Sequence, residues 1–205
     1  MADIPTDTTG IILAGGASVR LGRDKALIDI HGTPIVQRVA RVLHAVVGAV
    51  LLVTNRPADF AFLDVPMVED IYPGVGALGG LHAGLSAMTT KYGLVVGCDM
   101  PFLNVDLAAY LLSLRSGYEV VMPRAGRHFE PLHAVYAQEC RLAFEKHIRA
   151  NQRRIIPACQ GMRIRYLSEH EVARYDPDRL SFFNVNTSAD LERMRDIIEH
   201  PGRAR

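Results

Sequence analysis

Residues able to do chemistry stand in four places in the first half of this sequence, each directly after an apolar run. The run "GIIL" is followed by Gly15, Gly16, Ser18, Arg20 and Lys25, and "AVLLVT" by Asn55 and Arg56; "VPMV" precedes Glu69 and Asp70, and "YGLVVGC" precedes Asp99. Glycines let backbone N–H groups approach an anion closely, while Arg20 and Lys25 supply the positive charge that a phosphate chain requires. Asp99, a carboxylate at a strand end pinned by Pro101, is a hard oxygen donor suited to Mg²⁺ shared with phosphates. Each signal also has a plain structural reading. Gly15 and Gly16 could reverse the chain with Arg20, Arg23 and Lys25 as a solvated face, and Asp70 and Asp99 could serve turns or caps. What favours a phosphate ligand is the convergence of four strand ends, because open parallel sheets bind ligands beyond the carboxyl ends of their strands.

The two commonest phosphate loops do not fit. A GxxxxGK[ST] loop ending at Gly22 would need glycine where Ala17 stands and lysine where Arg23 stands. A GxGxxG loop needs its first two glycines separated, whereas Gly15 and Gly16 are adjacent.

The elements that must position these residues alternate strand with helix, the pattern of a parallel α/β sheet. "GIILAG", "AVLLVTN", the short "VPMVED" and "YGLVVGCD" read as strands. "TPIVQRVARVLHAVV" reads as a helix with Thr33 as N-cap, Pro34 in first position and Ile35, Val39, Val42, Leu43 and Val46 on one stripe. "GGLHAGLSAM" is a second helix, and "NVDLAAYLLSLR" a third, capped by Asn104. The strands "YEVVMPR" and "PLHAVYA" precede the amphipathic "QECRLAFEKHIRA". A last helix runs from Ser188 to Glu199, opened by Thr187 with Asp190 as an acidic capping box. The expected organisation is one domain over residues 10–199, with flexible ends at 1–9 and 200–205.

Composition sets the bounds. The chain has 205 residues, 49% hydrophobic and 22% charged, which suits a single core. A net charge of +1 gives no global field to hold nucleic acid, so an anion must be gripped locally. Cys98, Cys140 and Cys159 show no CxxC or metal-type spacing, which fits a reducing cytoplasm. No basic n-region and no apolar run of about 18 residues is present, so neither export nor a membrane is expected.

"LAGGASVRLGRDKAL" resembles the LAGGxSxRMGxDK signature of the molybdenum cofactor guanylyltransferases, the bacterial MobA type, within the wider nucleotidyltransferases. The resemblance continues in the family's order through "VTNRP", "VEDIYPGVGALGGLHAGL", "VVGCDMPFL", "FEPLHAVY" and "FNVNTSADL". Related cytidylyl- and sugar-phosphate nucleotidyltransferases usually read LAAG at the first loop and lack the Asp before the Lys. The pairs Gly15-Gly16 and Asp24-Lys25 therefore point to the guanylyl branch. Leu21 stands where the family usually has Met, and Ala77 where "GPLAG" has Pro.

The resemblance implies a Rossmann-like three-layer α/β/α nucleotidyltransferase domain with a mostly parallel sheet. It implies GTP, molybdopterin and Mg²⁺ as small-molecule partners, and molybdenum-insertion proteins and molybdoenzyme chaperones as protein partners. Leu13, Ala14, Gly15, Gly16, Lys25, Asn55, Asp70 and Asp99 match nucleotide-binding positions, with Asp99 the metal ligand. Gly22, Arg153, Arg154, Asn184 and Asn186 match pterin positions, and Arg20, Lys25 and Asp99 the transfer set. Read without the family, "NQRRI" is equally a solvated helix start, and Asn184 and Asn186 are turn and cap residues. His128 and His133 read as structural. The implied reaction is attack of the terminal phosphate of molybdopterin on the α-phosphate of GTP, expelling pyrophosphate. The alternatives are a cytidylyl- or sugar-phosphate transferase, and a non-catalytic nucleotide-binding regulator of the same fold.

Overall fold

A computed structural model describes residues 4–15, 24–125 and 128–200. After β1 (Thr8–Leu13) comes a hairpin of β2 (Asp29–Ile30) and β3 (Thr33–Pro34), then α1 (Ile35–His44) and β4 (Ala49–Val53). The short α2 (Pro57–Phe60) leads to β5 (Met67–Val68), followed by α3 (Ala77–Ala87), β6 (Tyr92–Gly97) and α4 (Val105–Ser113). β7 (Val120–Ala125), β8 (His128–Phe129) and β9 (His133–Ala137) precede α5 (Cys140–Arg149) and α6 (Ile155–Ala158). The chain closes with β10 (Ile164–Leu167), α7 (Glu169–Ala173) and α8 (Ser188–Glu199).

The main sheet has the order β10-β7-β9-β6-β1-β4-β5, with β8 paired to β7. β6, β1, β4 and β5 are mutually parallel neighbours, so their carboxyl ends share one edge. β9 lies antiparallel between β6 and β7. Successive β1 residues show where the helical layers lie. A Cβ on Gly10 would meet Leu43 and Val47, in α1 and just after it, at 3.0 and 3.1 Å, while Ile11 on the opposite face lies under Gly84 of α3. α1 and α3 therefore cover opposite faces of the strand. Gly84 is needed at that contact, because a Cβ there would come within 2.6 Å of Ile11 Cγ2. The core includes Ile11, Ile12, Leu43, Leu52, Leu81, Leu94 and Tyr136, each fully buried.

Two expectations about boundaries are corrected. Thr8 and Thr9 belong to β1, buried and paired with Tyr92 and Gly93, so the ordered sheet begins inside the stretch expected to be a flexible end. Thr33 is not the N-cap of α1. It pairs with Ile30 across a two-residue turn in which His31 and Gly32 take φ of 51° and 78°, and α1 starts after Pro34 without a side-chain cap. Positive φ at both central residues is the geometry of a primed hairpin turn, and Asp29 Oδ1 fixes it by accepting from Gly32 N at 2.7 Å. The other two caps form as expected. Asn104 Oδ1 accepts from Leu107 N at 2.9 Å, and Thr187 with Asp190 makes a reciprocal capping box.

Candidate functional site

The carboxyl ends of β1, β4, β5 and β6 open onto a cleft of about 200 Å³. Leu13, Ala14 and Gly15 form its floor, Asp24 and Lys25 return along one side, Gly97, Cys98 and Asp99 follow β6, and Asp70 follows β5. Five of the expected nucleotide residues thus meet with Lys25 in one concavity. β1 and β4 separate β5 from β6, so Asp70 and Asp99 come from ends three strand spacings apart, roughly 14 Å at the usual separation.

The charged end is held by three segments distant in sequence. Lys25 Nζ donates to Asn186 Oδ1 at 2.6 Å, and Val185 N donates to the Asp99 carbonyl at 3.0 Å, so the loop before α8 is joined to both residues. Asp24 caps the turn containing Lys25 by accepting from Ala26 N at 2.9 Å, and its other oxygen pairs with the Arg56 guanidinium. Burial raises the Asp99 carboxyl above the usual carboxylate range, with Lys25 acting in the opposite direction. Burial, reinforced by Asp99, pushes the neighbouring Cys98 thiol up to about 12. It is therefore protonated and a poor nucleophile at neutral pH.

The far end is built on Asp70. Its Oδ2 accepts from Asn55 Nδ2 at 3.0 Å, and its backbone N–H donates to Asn55 Oδ1 at 2.9 Å, a reciprocal pair that fixes the side chain. Its Oδ1 is buried and has no hydrogen-bond partner among the described residues. A buried, unpaired carboxylate oxygen is costly, and one facing a cleft suits a ligand donor. From Asp70 the chain runs through a loop to Gly76, the N-cap of α3, where φ is 82° and no side chain caps the helix. Gly76, Ala77 and Gly80 line the cleft there.

The remaining expected residues are placed as follows. Gly16, Arg20 and Gly22 lie outside the described residues. Arg153 Nη1 donates to the Gly74 carbonyl at 3.0 Å, on the loop after Asp70. Arg154 stands before α6 and makes no side-chain cap. Asn184 Nδ2 donates to the Phe182 carbonyl at 3.0 Å, whereas Asn186 reaches Lys25. His128 is exposed and His133 is fully buried against Phe182, so neither lines the cleft. Sequence reasoning used Asp24 only as a branch marker and did not select Leu132, Gly80 or Gly97, all of which line the cleft. Only Asp24 carried a usable signal, its position as a capping acid before a short helix. Gly97 and Leu132 reach the cleft through strand order, and Gly80 through the packing of α3 on the sheet.

The MobA-like NTP transferase domain model matches residues 10–163. The chain belongs to this family. Among curated relatives of the MobA-like domain, a probable molybdenum cofactor guanylyltransferase of Pelotomaculum thermopropionicum is 38% identical over 192 residues, covering 94% of each chain. The molybdenum cofactor guanylyltransferase of Desulfosudis oleivorans is 33% identical, covering 93% of this chain and 96% of its own. The solved structure of molybdopterin-guanine dinucleotide biosynthesis protein A from Archaeoglobus fulgidus shares the fold with a TM-score of 0.81 at 24% identity, covering 93% of this chain and 98% of its own. Among the described residues, no helix is long and apolar enough to cross a membrane.

Proposed function

We propose that this MobA-like NTP transferase is a molybdenum cofactor guanylyltransferase, moving GMP from GTP to the terminal phosphate of molybdopterin and releasing pyrophosphate. The observation that carries the reading is the meeting of Lys25 and Asp99 in one cleft beyond the parallel strand ends, in a chain whose curated relatives bear that name. A phosphate monoester has a second pKa near about 6, so the attacking phosphate is already an anion at neutral pH and needs no general base. Its oxygen forms the new bond to the α-phosphorus as the bond to the β-phosphate oxygen breaks. The enzyme's task is to offset repulsion between anions. Lys25 supplies one cation there, and Arg20, by its place in the motif, a second. Asp70 Oδ1 is the acceptor for a donor on the base or ribose, and Leu13, Ala14, Gly15, Gly16 and Asn55 complete the nucleotide contacts. Gly22, Arg153, Arg154, Asn184 and Asn186 are assigned to the pterin side.

A divalent cation, Mg²⁺ in this proposal, fits Asp99. Among the described residues no group of three or more His, Cys, Asp or Glu side chains could hold a metal, so the ion would complete its shell with phosphate and water oxygens, as Mg²⁺ commonly does. When bound it would neutralise charge on the α-phosphate and on the departing pyrophosphate.

The test is incubation with molybdopterin, Mg²⁺ and each nucleoside triphosphate in turn, with analysis for the dinucleotide. GTP should give product, and at a hundredfold excess over Kd it should stabilise the fold by about 2.7 kcal/mol. Equal or better turnover with CTP would replace the guanylyl reading with a cytidylyl one. The same protein partners and a cytoplasmic setting are part of this proposal.

A further inference from the structure

The loop from Asp70 to Gly76 forms the wall of the cleft farthest from Lys25 and Asp99, and it is fastened from outside the site. Tyr72 Oη donates to Glu145 Oε1 at 2.7 Å, and Arg149 donates to that same oxygen from Nε at 3.1 Å and Nη2 at 2.7 Å. Glu145 and Arg149 are one turn apart on α5, an element that contributes nothing to the cleft lining. The Tyr72 ring also lies against the buried His82 of α3, with centroids 5.4 Å apart, and under the Arg149 guanidinium at 6.0 Å. The loop has little slack against α3, since a Cβ on Gly79 would lie 3.0 Å from Val75 Cβ and 3.2 Å from the Tyr72 carbonyl. A shift of Tyr72 is thereby passed to the first turn of α3, where Gly76, Ala77 and Gly80 line the cleft, and to Asp70 two residues away.

We propose that Tyr72, held by Glu145, is a positioning residue that sets the base-and-ribose wall of the nucleotide cleft through a part-buried hydrogen bond to α5, outside the cleft. The proposal rests on the nucleotide reading above. The acceptor is a carboxylate already fixed by Arg149, and the Arg149 contacts together with Tyr72 hold it below the usual carboxylate range. It therefore stays a charged acceptor across the working pH range, and charged acceptors make the stronger hydrogen bonds. Because the phosphate-binding side chains stand at the other end of the cleft, loosening this loop should weaken the nucleoside portion of the ligand and spare the phosphates.

Tyr72→Phe removes the hydroxyl and keeps the ring against His82. Dissociation constants for GTP and GMP should both rise roughly five- to tenfold, the equivalent of one such hydrogen bond. Inhibition by pyrophosphate, kcat at saturating GTP and KM for molybdopterin should stay within about twofold, since the contacts they read are untouched. Glu145→Gln keeps an oxygen able to accept from Tyr72 and should retain near-normal GTP affinity, while Glu145→Ala should match Tyr72→Phe. Unchanged GTP and GMP affinity in Tyr72→Phe overturns the proposal. So does joint weakening of GTP, GMP and pyrophosphate with a fall in Tm, which would mark general loosening, and so does a Glu145→Gln variant as impaired as Glu145→Ala. If the wild-type chain prefers another triphosphate, the guanylyl assignment fails, and the same comparison made with that nucleotide and its monophosphate still decides the tether.

Discussion

Gly97→Ala places a methyl group against the residue assigned to the metal. The new Cβ would stand 2.8 Å from Asp99 Oδ1, whereas carbon–oxygen contacts settle at about 3.3–3.6 Å. The carboxylate oxygen must therefore retreat by roughly 0.5 Å. Misplacement of a reacting geometry by about 1 Å can cost a hundredfold in rate, so half of that should lower kcat about tenfold, or about 1.4 kcal/mol of barrier. The fold should hardly register the change. The next contacts of the new Cβ, Met100 Cγ at 3.5 Å and Sδ at 3.6 Å, are ordinary. Position 97 has no positive φ, so the loss of unfolded-chain freedom works in favour of alanine. Tm should move by less than about 4 °C. Gly93→Ala is the contrasting variant in the same strand. Its Cβ would meet Ile11 Cδ1 at 2.8 Å, Leu85 Cδ2 at 3.1 Å and Met88 Sδ at 3.2 Å, so it should lower Tm and leave kcat near normal. Steady-state dinucleotide formation over a Mg²⁺ titration, run beside thermal melts, separates the two. A folded Gly97→Ala enzyme with wild-type kcat and wild-type Mg²⁺ dependence would refute the placement of Asp99 Oδ1 at the reacting centre.

Asp99→Asn keeps the size and one acceptor oxygen but removes the charge, and transfer should fall roughly 100-fold or more while the melt stays cooperative; near-normal turnover would take Asp99 out of the metal site. His133 is fully buried, and burial lowers its pKa from 6.5 to about 4. Its proton is taken up by the unfolded chain before the folded one, so it contributes no penalty above pH 6.5 and a growing one as pH falls towards 4, reaching about 3 kcal/mol. Chemical denaturation of His133→Gln and wild type across that range should show the shallower slope in the variant. Asn104→Ala deletes the cap on Leu107 N and should cost about 1 kcal/mol, seen as a Tm fall of about 2–4 °C, with kcat unchanged.

The layered α/β class and the place of the cleft were legible in the chain because both rest on local rules. Apolar runs bounded by glycine and acid mark parallel strand ends, and Asn104, Thr187 and Asp190 announce their helices through side chains that reach only a few residues along the chain. Gly15, Lys25, Asp70 and Asp99 could be singled out as candidates because ligands gather where such strands end, whereas Leu13 came only with the family resemblance. The β2–β3 hairpin was missed although His31-Gly32 marks it, because Thr33-Pro34 reads equally well as a helix start and only pairing with Asp29 and Ile30 decides between the two. The strand order β6-β1-β4-β5 is a tertiary fact. It puts Asp70 and Asp99 on opposite flanks of one cleft and draws in Leu132 from the far half of the chain. The same holds for Lys25 with Asn186, 161 residues apart, and for Tyr72 with Glu145, 73 apart. No periodicity encodes such pairs, since each exists only once packing has fixed two distant backbones at hydrogen-bonding range.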